Sequence, residues 1–226
     1  MSNDPPVVLI TGASRGLGAA IAKQLKEQPV ELVLSAKSKA ALEEIDDAIG
    51  GAVLVPLDMK KLDDIDKLAG GLLQRYQRLD ALIACHVEMV DLSPIAHLDP
   101  KKLQSLMTIN VMANHRLIRA LDPLLRLGTN PAAMFMTCDA GRSGAKAFWG
   151  GLAAAKAALE AMVHAYAAES TKSGVEVICH DPGAMPTRSR RRAYPGEDEA
   201  ALPTLDAAAT IAIDRLLSGR TDWPRA

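Results

Sequence analysis

The chain has 226 residues, of which 49% are hydrophobic, 23% charged and only 3% aromatic. This length and composition predict one globular domain with an aliphatic core, and they exclude disorder as a description of the whole chain. The 26 basic and 27 acidic residues leave a net charge of −1, so no overall field would attract nucleic acid or an anionic membrane. We therefore expect no nucleic acid and no membrane among the partners.

The sequence also bears on compartment and metals. No apolar run approaches the about 18 residues that span a bilayer, and the first six residues carry no signal-like basic and hydrophobic regions, so we expect a cytoplasmic protein. Cys85, Cys138 and Cys179 lack CxxC or Cys/His spacing, which argues against a disulfide scaffold and against a metal site. They are either buried apolar side chains or, less commonly, redox-active thiols.

Short apolar runs alternate with longer stretches of helical periodicity, which is typical of βαβ units around a buried parallel sheet. The predicted strands are Val7–Thr11, Glu31–Ser35, Ala52–Leu57, Ala81–Cys85, Ala132–Thr137 and Val175–His180. The predicted helices are Gly16–Gln28, Ser38–Ile49, Leu62–Tyr76, Pro100–Arg126, Gly150–Lys172 and Asp206–Ser218. The expected fold class is α/β, a doubly wound Rossmann-type domain with a parallel sheet of six or seven strands and helices on both faces.

No repeat or Gly-, Ser- or Pro-rich linker divides the chain, so residues 1–226 are predicted to form a single domain. The stretch from about 185 to 203 differs from the rest in composition, because four arginines are followed closely by three acidic residues. These are Arg188, Arg190, Arg191 and Arg192, and then Glu197, Asp198 and Glu199. We interpret this stretch as an excursion from the core.

The first predicted strand leads into a glycine-rich turn and then a helix. The turn reads Thr11-Gly12-Ala13-Ser14-Arg15-Gly16-Leu17-Gly18. Glycines let a backbone turn sharply and approach a pyrophosphate, while the amides and dipole at the N-terminus of the next helix favour negative charge. The alternative is a tight strand-to-helix turn without a ligand. The TGxxxGxG spacing, distinct from GxGxxG, resembles that of the short-chain dehydrogenase/reductase family.

Further matches to this family follow in the expected order along nearly the whole chain. Asp58 resembles the family's aspartate beside the adenine ring, and Asn110 resembles its active-site asparagine. Lys156 resembles the lysine of the YxxxK pair, Pro182-Gly183 the PG motif, and Thr187 the threonine that contacts the nicotinamide carboxamide. The resemblance implies dinucleotide binding through Thr11, Gly12, Ser14, Arg15, Gly16, Leu17, Gly18, Lys37, Asp58, Lys156, Pro182, Gly183 and Thr187.

The charges near the end of the second strand bear on which dinucleotide binds. A carboxylate there would bind a free ribose 2′-hydroxyl and repel a 2′-phosphate, but the sequence reads Ser35-Ala36-Lys37-Ser38. Lys37 and Arg15 occupy two positions at which the family carries basic residues for the 2′-phosphate, although both could be ordinary solvated cations. We therefore expect NADP(H) in preference to NAD(H).

The catalytic pattern of the family is broken in this chain. The family uses a tyrosine as proton donor, a serine that orients the substrate oxygen, and a lysine that lowers the tyrosine pKa. Counting four residues back from Lys156 reaches Leu152, and alignment on Ala140-Gly141 places Cys138 at the serine position. The NNAG motif after the fourth strand is also replaced, by Ala84-Cys85-His86-Val87. The resemblance therefore predicts a degenerate active site.

Two hypotheses for function remain open. The first is an NADP(H)-dependent oxidoreductase that acts on a carbonyl or hydroxyl substrate by a non-standard mechanism, with Lys156 and Asn110 retained as catalytic residues. Loss of the general acid forfeits roughly 10² to 10⁴ in rate, so this hypothesis requires a replacement. The second is a catalytically silent NADP(H)-binding pseudoenzyme with a regulatory or partner-binding role.

Replacement acids are expected at the carboxyl ends of the strands, where ligands of open α/β sheets bind. His86 is the favoured third catalytic candidate, because an imidazole transfers protons near neutral pH. Asp139, His180 and Asp181 are further candidates, and for all four the alternative is a structural residue that satisfies backbone amides. Tyr166 is excluded, because it lies about 21 Å beyond position 152 along the same helix.

Two segments bear on substrate and partners. The arginine cluster corresponds to the family's substrate lid, so it either meets an anionic or carrier-linked small-molecule substrate or pairs with the acids at 197–199. The predicted helices near 100–126 and 150–172 correspond to those that form the family's dimer, and the second is rich in alanine. The resemblance therefore implies a homodimer. The family's seventh strand has no counterpart after Gly219, which favours a dimer over a tetramer.

Overall fold

The computed structural model describes residues 4–141 and 146–220. The strands are β1 (Val7–Thr11), β2 (Glu31–Ala36), β3 (Val53–Pro56), β4 (Ala81–Ala84), β5 (Ala132–Met136) and β6 (Glu176–His180). They form one parallel sheet in the order β3-β2-β1-β4-β5-β6. The helices are α1 (Gly16–Leu25), α2 (Lys39–Ile49), α3 (Leu62–Tyr76), α4 (Pro100–Met107), α5 (Ala113–Leu125), α6 (Gly150–Glu169), α7 (Arg188–Ala193) and α8 (Leu205–Leu217). The predicted doubly wound α/β class is confirmed.

Both faces of the sheet are buried, because alternate strand residues point into two apolar layers. On one face, Ile10 and Leu34 pack with side chains of α1, α2 and α8. On the other face, Leu9, Val33 and Phe135 pack with side chains of α3, α5 and α6. Complete burial of each such side chain contributes about 1.5 to 3 kcal/mol to folding. The near-continuous apolar runs of the strands follow from this double burial.

The order of the strands reverses beside β1, which pairs with β2 on one side and with β4 on the other. Thr11 at the end of β1 lies level with Ser35 and with Ala84. The helix that follows β1 covers one face, while the helices that follow β4 cover the other. This arrangement opens a crevice at the carboxyl ends of β1 and β4, where ligands bind in doubly wound folds.

The helices differ from the prediction in three places. The predicted helix over Pro100–Arg126 is interrupted by a π turn at Thr108–Met112, which separates α4 from α5. The predicted helix over Gly150–Lys172 ends as an α-helix at Glu169 and continues as a 3₁₀ turn. Helix α7 was not predicted, since its arginine-rich sequence has no apolar periodicity. Its Thr187 side chain caps it by accepting a hydrogen bond from the Arg190 N–H at 3.1 Å.

The ends of the chain bear on two further predictions. Residues 221–226 lie outside the described residues, so the predicted lack of a seventh strand stays a prediction. The single domain over 1–226 likewise includes residues that the structure does not describe. Among the described residues, no helix is long and apolar enough to cross a membrane.

Candidate dinucleotide cleft and degenerate active site

The turn after β1 is shaped by its glycines. Gly12 has a φ of +67°, and a Cβ there would lie 2.7 Å from the His86 backbone nitrogen. A Cβ on Gly18 would lie 2.5 Å from the Gly12 carbonyl oxygen. Both positions therefore exclude any larger residue. The β1 backbone thereby runs against the end of β4, and the N-terminus of α1 packs against the same turn.

No side chain among the described residues caps the first backbone N–H groups of α1. Arg15 is the N-cap residue, its side chain makes no capping hydrogen bond, and the first turn contains no acidic residue. Leu17 is buried and anchors this turn in the core, while Ser14 is only partly exposed. Free N–H groups and the helix dipole at this position favour an anion. The turn therefore suits the pyrophosphate of a dinucleotide.

Basic groups lie near this turn at the proposed adenosine end of the cleft. Arg15 is exposed and forms no ion pair within residues 4–141 and 146–220. Lys37 follows β2 and forms an ion pair with Asp58, which follows β3, at 2.8 Å. The hydrogen bond to Asp58 raises the pKa of Lys37. Burial acts to raise the pKa of Asp58, but Lys37 and the Lys60 N–H outweigh it and leave that pKa lowered.

The loop after β6 closes over the glycine turn. Gly183 has a φ of +75°, and its N–H donates a hydrogen bond to Asp181 Oδ1 at 2.9 Å. The Thr187 methyl group lies 3.7 Å from the Cβ position of Gly16. Pro182 lies between Asp181 and Gly183 in this loop. The structure thus brings the PG motif and Thr187 to the same crevice as the glycine turn.

His86 lies beneath the glycine turn and not on an open surface. Its side chain is 8% exposed, and its Nδ1 lies 2.8 Å from Thr11 Oγ1, within hydrogen-bond distance. Its Nε2 is buried without a hydrogen-bond partner among the described residues. Burial and, to a smaller extent, the Lys156 ammonium lower the pKa of His86 to about 4, against the opposing effect of the Ile109 backbone. A neutral, enclosed imidazole disfavours the proton-donor role that the sequence suggested.

Lys156 is buried on α6 at the ends of β5 and β6. Its Nζ donates a hydrogen bond to the Met136 carbonyl oxygen at 2.9 Å, and the residue is 4% exposed. Burial lowers the pKa of Lys156, while Cys138, Cys179, Glu160 and Asp181 oppose part of that shift. Burying an ammonium group costs free energy unless hydrogen-bond acceptors surround it, and the Met136 carbonyl is the acceptor that the described residues provide. Lys156 is therefore placed to donate further hydrogen bonds to a bound ligand.

Sequence reasoning missed Glu160, which lies one helical turn after Lys156. It is 7% exposed and accepts a hydrogen bond from Thr137 Oγ1 at the end of β5. The signal available in the sequence was its i,i+4 spacing from Lys156 on a helix otherwise rich in alanine. A buried carboxylate at this position offsets part of the charge of Lys156.

Asn110 lies in the π turn between α4 and α5. Its Nδ2 donates hydrogen bonds to the carbonyl oxygens of Glu88 and Leu106, both at 3.0 Å. Its Oδ1 accepts a hydrogen bond from the Glu88 N–H at 3.3 Å. These bonds fix the loop that follows β4. Asn110 is fully buried and holds the loop at the nicotinamide end of the proposed cleft.

The position at which the family has its tyrosine is filled by apolar packing. A third apolar cluster, separate from the two cores, contains Met89, Leu106, Leu152 and Ala155, with Cys138, Trp149 and Ala193 packed against it. The cavity beside Leu152 has a volume of about 10 Å³, roughly the space of one water molecule. In this conformation the substrate end is therefore closed.

The arginines of α7 help to hold the substrate end shut. Arg192 Nε forms an ion pair with Asp91 Oδ1 at 2.7 Å, and its Nη1 donates to the Met89 carbonyl oxygen at 2.8 Å. Arg190 pairs with Glu197 at 2.5 Å, and Arg191 pairs with Glu199. The predicted pairing with the acids at 197–199 is confirmed for these two arginines.

Four other residues considered in the sequence analysis, Tyr166, Cys85, Cys138 and His180, are held or buried by their neighbours. Tyr166 donates a hydrogen bond to Asp122 Oδ1 at 2.9 Å, on the far part of α6. Burial raises the pKa of Cys85 to about 12, so its thiol is neutral at physiological pH. Burial likewise raises the pKa of Cys138 and lowers that of His180. Within the described ranges, no three His, Cys, Asp or Glu side chains form a group that could hold a metal ion.

The fold and the crevice define the chain as an α/β protein of the doubly wound class, in which ligands bind at the carboxyl ends of the strands. The profile of the family described as short chain dehydrogenase matches residues 6–198. The chain belongs to the short-chain dehydrogenase/reductase family of oxidoreductases, as its motifs predicted.

Known relatives agree with this assignment. The chain is 29% identical over 205 residues to the uncharacterized oxidoreductase YciK of Escherichia coli K12, covering 88% of this chain and 81% of the relative. It is 29% identical over 211 residues to the L-fucose dehydrogenase of Mus musculus, covering 91% and 72%. A short chain dehydrogenase structure from Escherichia coli CFT073, complexed with NADPH, superposes with a TM-score of 0.87 at 30% identity, covering 94% of this chain and 89% of the other.

Proposed function

We propose that this chain binds NADP(H) in the crevice at the carboxyl ends of β1 and β4, with a preference over NAD(H). The observation that carries the proposal is the uncapped N-terminus of α1 behind a turn in which Gly12 admits no side chain. Arg15 and Lys37 would hold the 2′-phosphate, and Asp58 would lie beside the adenine. The NADPH complex of the related structure supports the choice of cofactor.

The remaining cofactor contacts follow from the same geometry. The amides of residues 14–18 would bind the pyrophosphate, Lys156 would hold the nicotinamide ribose, and Pro182-Gly183 and Thr187 would border the nicotinamide. When bound, NADP(H) supplies or accepts a hydride. We assign the chain to oxidoreductases of small carbonyl or hydroxyl substrates in which the proton does not pass through position 152 or 138, with Asn110 fixing the adjacent loop.

Titration with NADPH and NADH tests the binding proposal through tryptophan fluorescence, since Trp149 lies beside Leu152 at the substrate end. We expect NADPH to bind at least tenfold more tightly than NADH, a difference of about 1.4 kcal/mol. Arg15→Gln should remove most of this preference, while Lys23→Gln on the exposed part of α1 should not. Equal affinities for the two dinucleotides would contradict the preference, and no binding of either would contradict the proposal.

A second function is favoured by the closed third apolar cluster around Leu152. In this alternative the chain binds NADP(H) without turnover and acts in regulation or through a partner. Absorbance at 340 nm, followed with NADPH and a panel of aldehydes and ketones, separates the two. Steady consumption of NADPH excludes the silent protein, whereas tight binding without consumption supports it. Leu152→Tyr combined with Cys138→Ser should then raise the rate by roughly 10² or more.

We further propose a cytoplasmic homodimer formed by the helices over 100–126 and 150–172. Two observations support the assembly. Met112, at the end of the π turn, is an exposed apolar side chain at 47%, and α6 is rich in alanine. Sedimentation equilibrium should give twice the chain mass. Met112→Glu should shift it toward the monomer, and Leu127→Glu, at an exposed residue beyond α5, serves as the control.

A further inference from the structure

A groove separate from the crevice runs between β3 and α3. Its volume is about 380 Å³, within the range of small-molecule sites. Val33 and Leu57 form its floor, and both are almost fully buried. Its walls are apolar side chains of β3 and α3, namely Val53, Val55, Leu68 and Leu72. The groove exists because β3 is an edge strand and α3 leads away from it toward β4.

One of two adjacent glycines in the middle of α3 borders this groove. A Cβ on Gly70 or on Gly71 would meet no atom within 4 Å, so no contact within the described residues requires a glycine at either position. Each glycine costs about 1 kcal/mol relative to alanine in a helix interior. Gly71 lines the groove, and Gly70 does not. Gly71 therefore leaves this part of the groove without a side chain.

The mouth of the groove carries one loosely paired cation. Lys67 is tightly paired with Asp64 at 2.6 Å. Arg75 is 61% exposed, and its Nη2 lies 3.9 Å from Glu31 Oε1, an oxygen that already accepts a 2.7 Å hydrogen bond from Tyr76. The guanidinium lies over the Tyr76 ring at 5.3 Å from its centroid. Arg75 thus presents donors suited to a carboxylate at the end of an apolar groove.

We infer that this groove is a second binding site, for a carboxylate with a medium-length apolar chain. The apolar chain of the ligand lies on Val53, Val55 and Leu72, beside Gly71, and its carboxylate binds Arg75. The Arg75 end of the groove lies beside Glu31 at the start of β2, away from the carboxyl ends of β1 and β4, whereas its other end reaches Leu57, next to Asp58. The head-group end is therefore separate from the proposed NADP(H) cleft, and titration of the same variants with NADPH distinguishes the two sites.

Calorimetric titration with dodecanoate below its micellar concentration tests the site, with dodecanol as the uncharged probe. We expect dodecanoate to bind the parent protein and dodecanol to bind about tenfold more weakly. Gly71→Leu should abolish binding, because a Cβ at this lining position meets no atom within 4 Å and the rest of the side chain would occupy the groove. Gly70→Leu makes the same gain in helix propensity on a face outside the groove, so it should bind dodecanoate as the parent does.

Comparison of dodecanoate binding by the parent and the two glycine variants decides whether the site exists. Loss of binding in Gly71→Leu alone supports the site. Retention in Gly71→Leu, equal loss in both variants, or no binding to the parent overturns it. Arg75→Gln should weaken dodecanoate about tenfold and leave dodecanol unchanged, and equal effects on the two probes would overturn the head-group assignment. NADPH titration of the same two glycine variants should be unchanged, which separates failure here from failure of the cofactor proposal.

Discussion

The two ends of the crevice are built from different material. At the phosphate end, the groups that face the pyrophosphate are mainly backbone, namely a glycine turn and the uncapped amides of α1, and no residue larger than glycine fits at positions 12 and 18. The substrate end depends on side chains, and there Leu152 and Cys138 join an apolar cluster. Substitutions can therefore replace the family's tyrosine and serine without changing the backbone of the glycine turn.

The largest expected effect tests the rigidity of the phosphate end. Gly12→Ala places a Cβ against the His86 backbone at a positive φ, which should cost about 3 kcal/mol or more of unfolding free energy. Gly50→Ala is the matched control, since its φ of +74° is similar but no atom lies within 4 Å. It should cost only about 1 to 2 kcal/mol. Equal losses in urea denaturation would show that the close approach to β4 is unimportant.

The next largest effect concerns His86, which contacts Thr11 at the glycine turn and lies within the electrostatic influence of Lys156. Its pKa is about 4 in the folded state and about 6.5 unfolded, so the unfolded chain binds more protons between these values. Stability should therefore be complete above about pH 6.5 and fall as the pH drops toward 4, by on the order of 3 kcal/mol. Urea unfolding at pH 7 and pH 5 should show about 2 kcal/mol of this loss. His86→Asn should show a smaller loss, and His97→Asn, on an exposed turn, should match the parent.

A smaller effect tests whether the buried lysine serves binding at the expense of stability. Lys156→Met combined with Glu160→Gln removes the buried cation together with the carboxylate that offsets it, while the new amide still accepts from Thr137, so unfolding free energy at pH 7 should rise by about 1 to 2 kcal/mol. NADPH affinity should fall about tenfold, because a charged donor to the ribose is lost. Lys172→Met, at an exposed position, should change neither. A variant that gains stability and keeps its full affinity would remove Lys156 from the proposed cofactor site.

The smallest effect separates the two dinucleotides at the phosphate end. Lys37→Gln should weaken NADPH binding about three- to tenfold and leave NADH binding unchanged, because only NADPH carries the 2′-phosphate. Lys39→Gln, at an exposed position two residues further on, controls for general charge. Equal weakening of NADPH and NADH would instead indicate that Lys37 acts by holding Asp58 in place.

What could be predicted from the sequence follows the same division. The strands and the glycine turn were predicted closely, because strands buried on both faces are continuously apolar and positions with positive φ favour glycine. The surroundings of His86 and Lys156 could not be predicted, since burial and partners such as Thr11 and Met136 arise from strands far apart in sequence. The closure over Leu152 was also invisible, because it depends on α7 packing against the loop after β4.

The ion pairs that hold α7 have a consequence for ionic strength. Arg192 and Asp91 are 46% and 63% exposed, so dissolved salt reaches both partners of the pair that fastens α7 above Leu152. At 0.15 M the Debye length is about 8 Å, and at 1 M it is about 3 Å. We therefore expect salt to weaken the electrostatic part of this fastening, while the bond from Arg192 to the Met89 carbonyl oxygen remains.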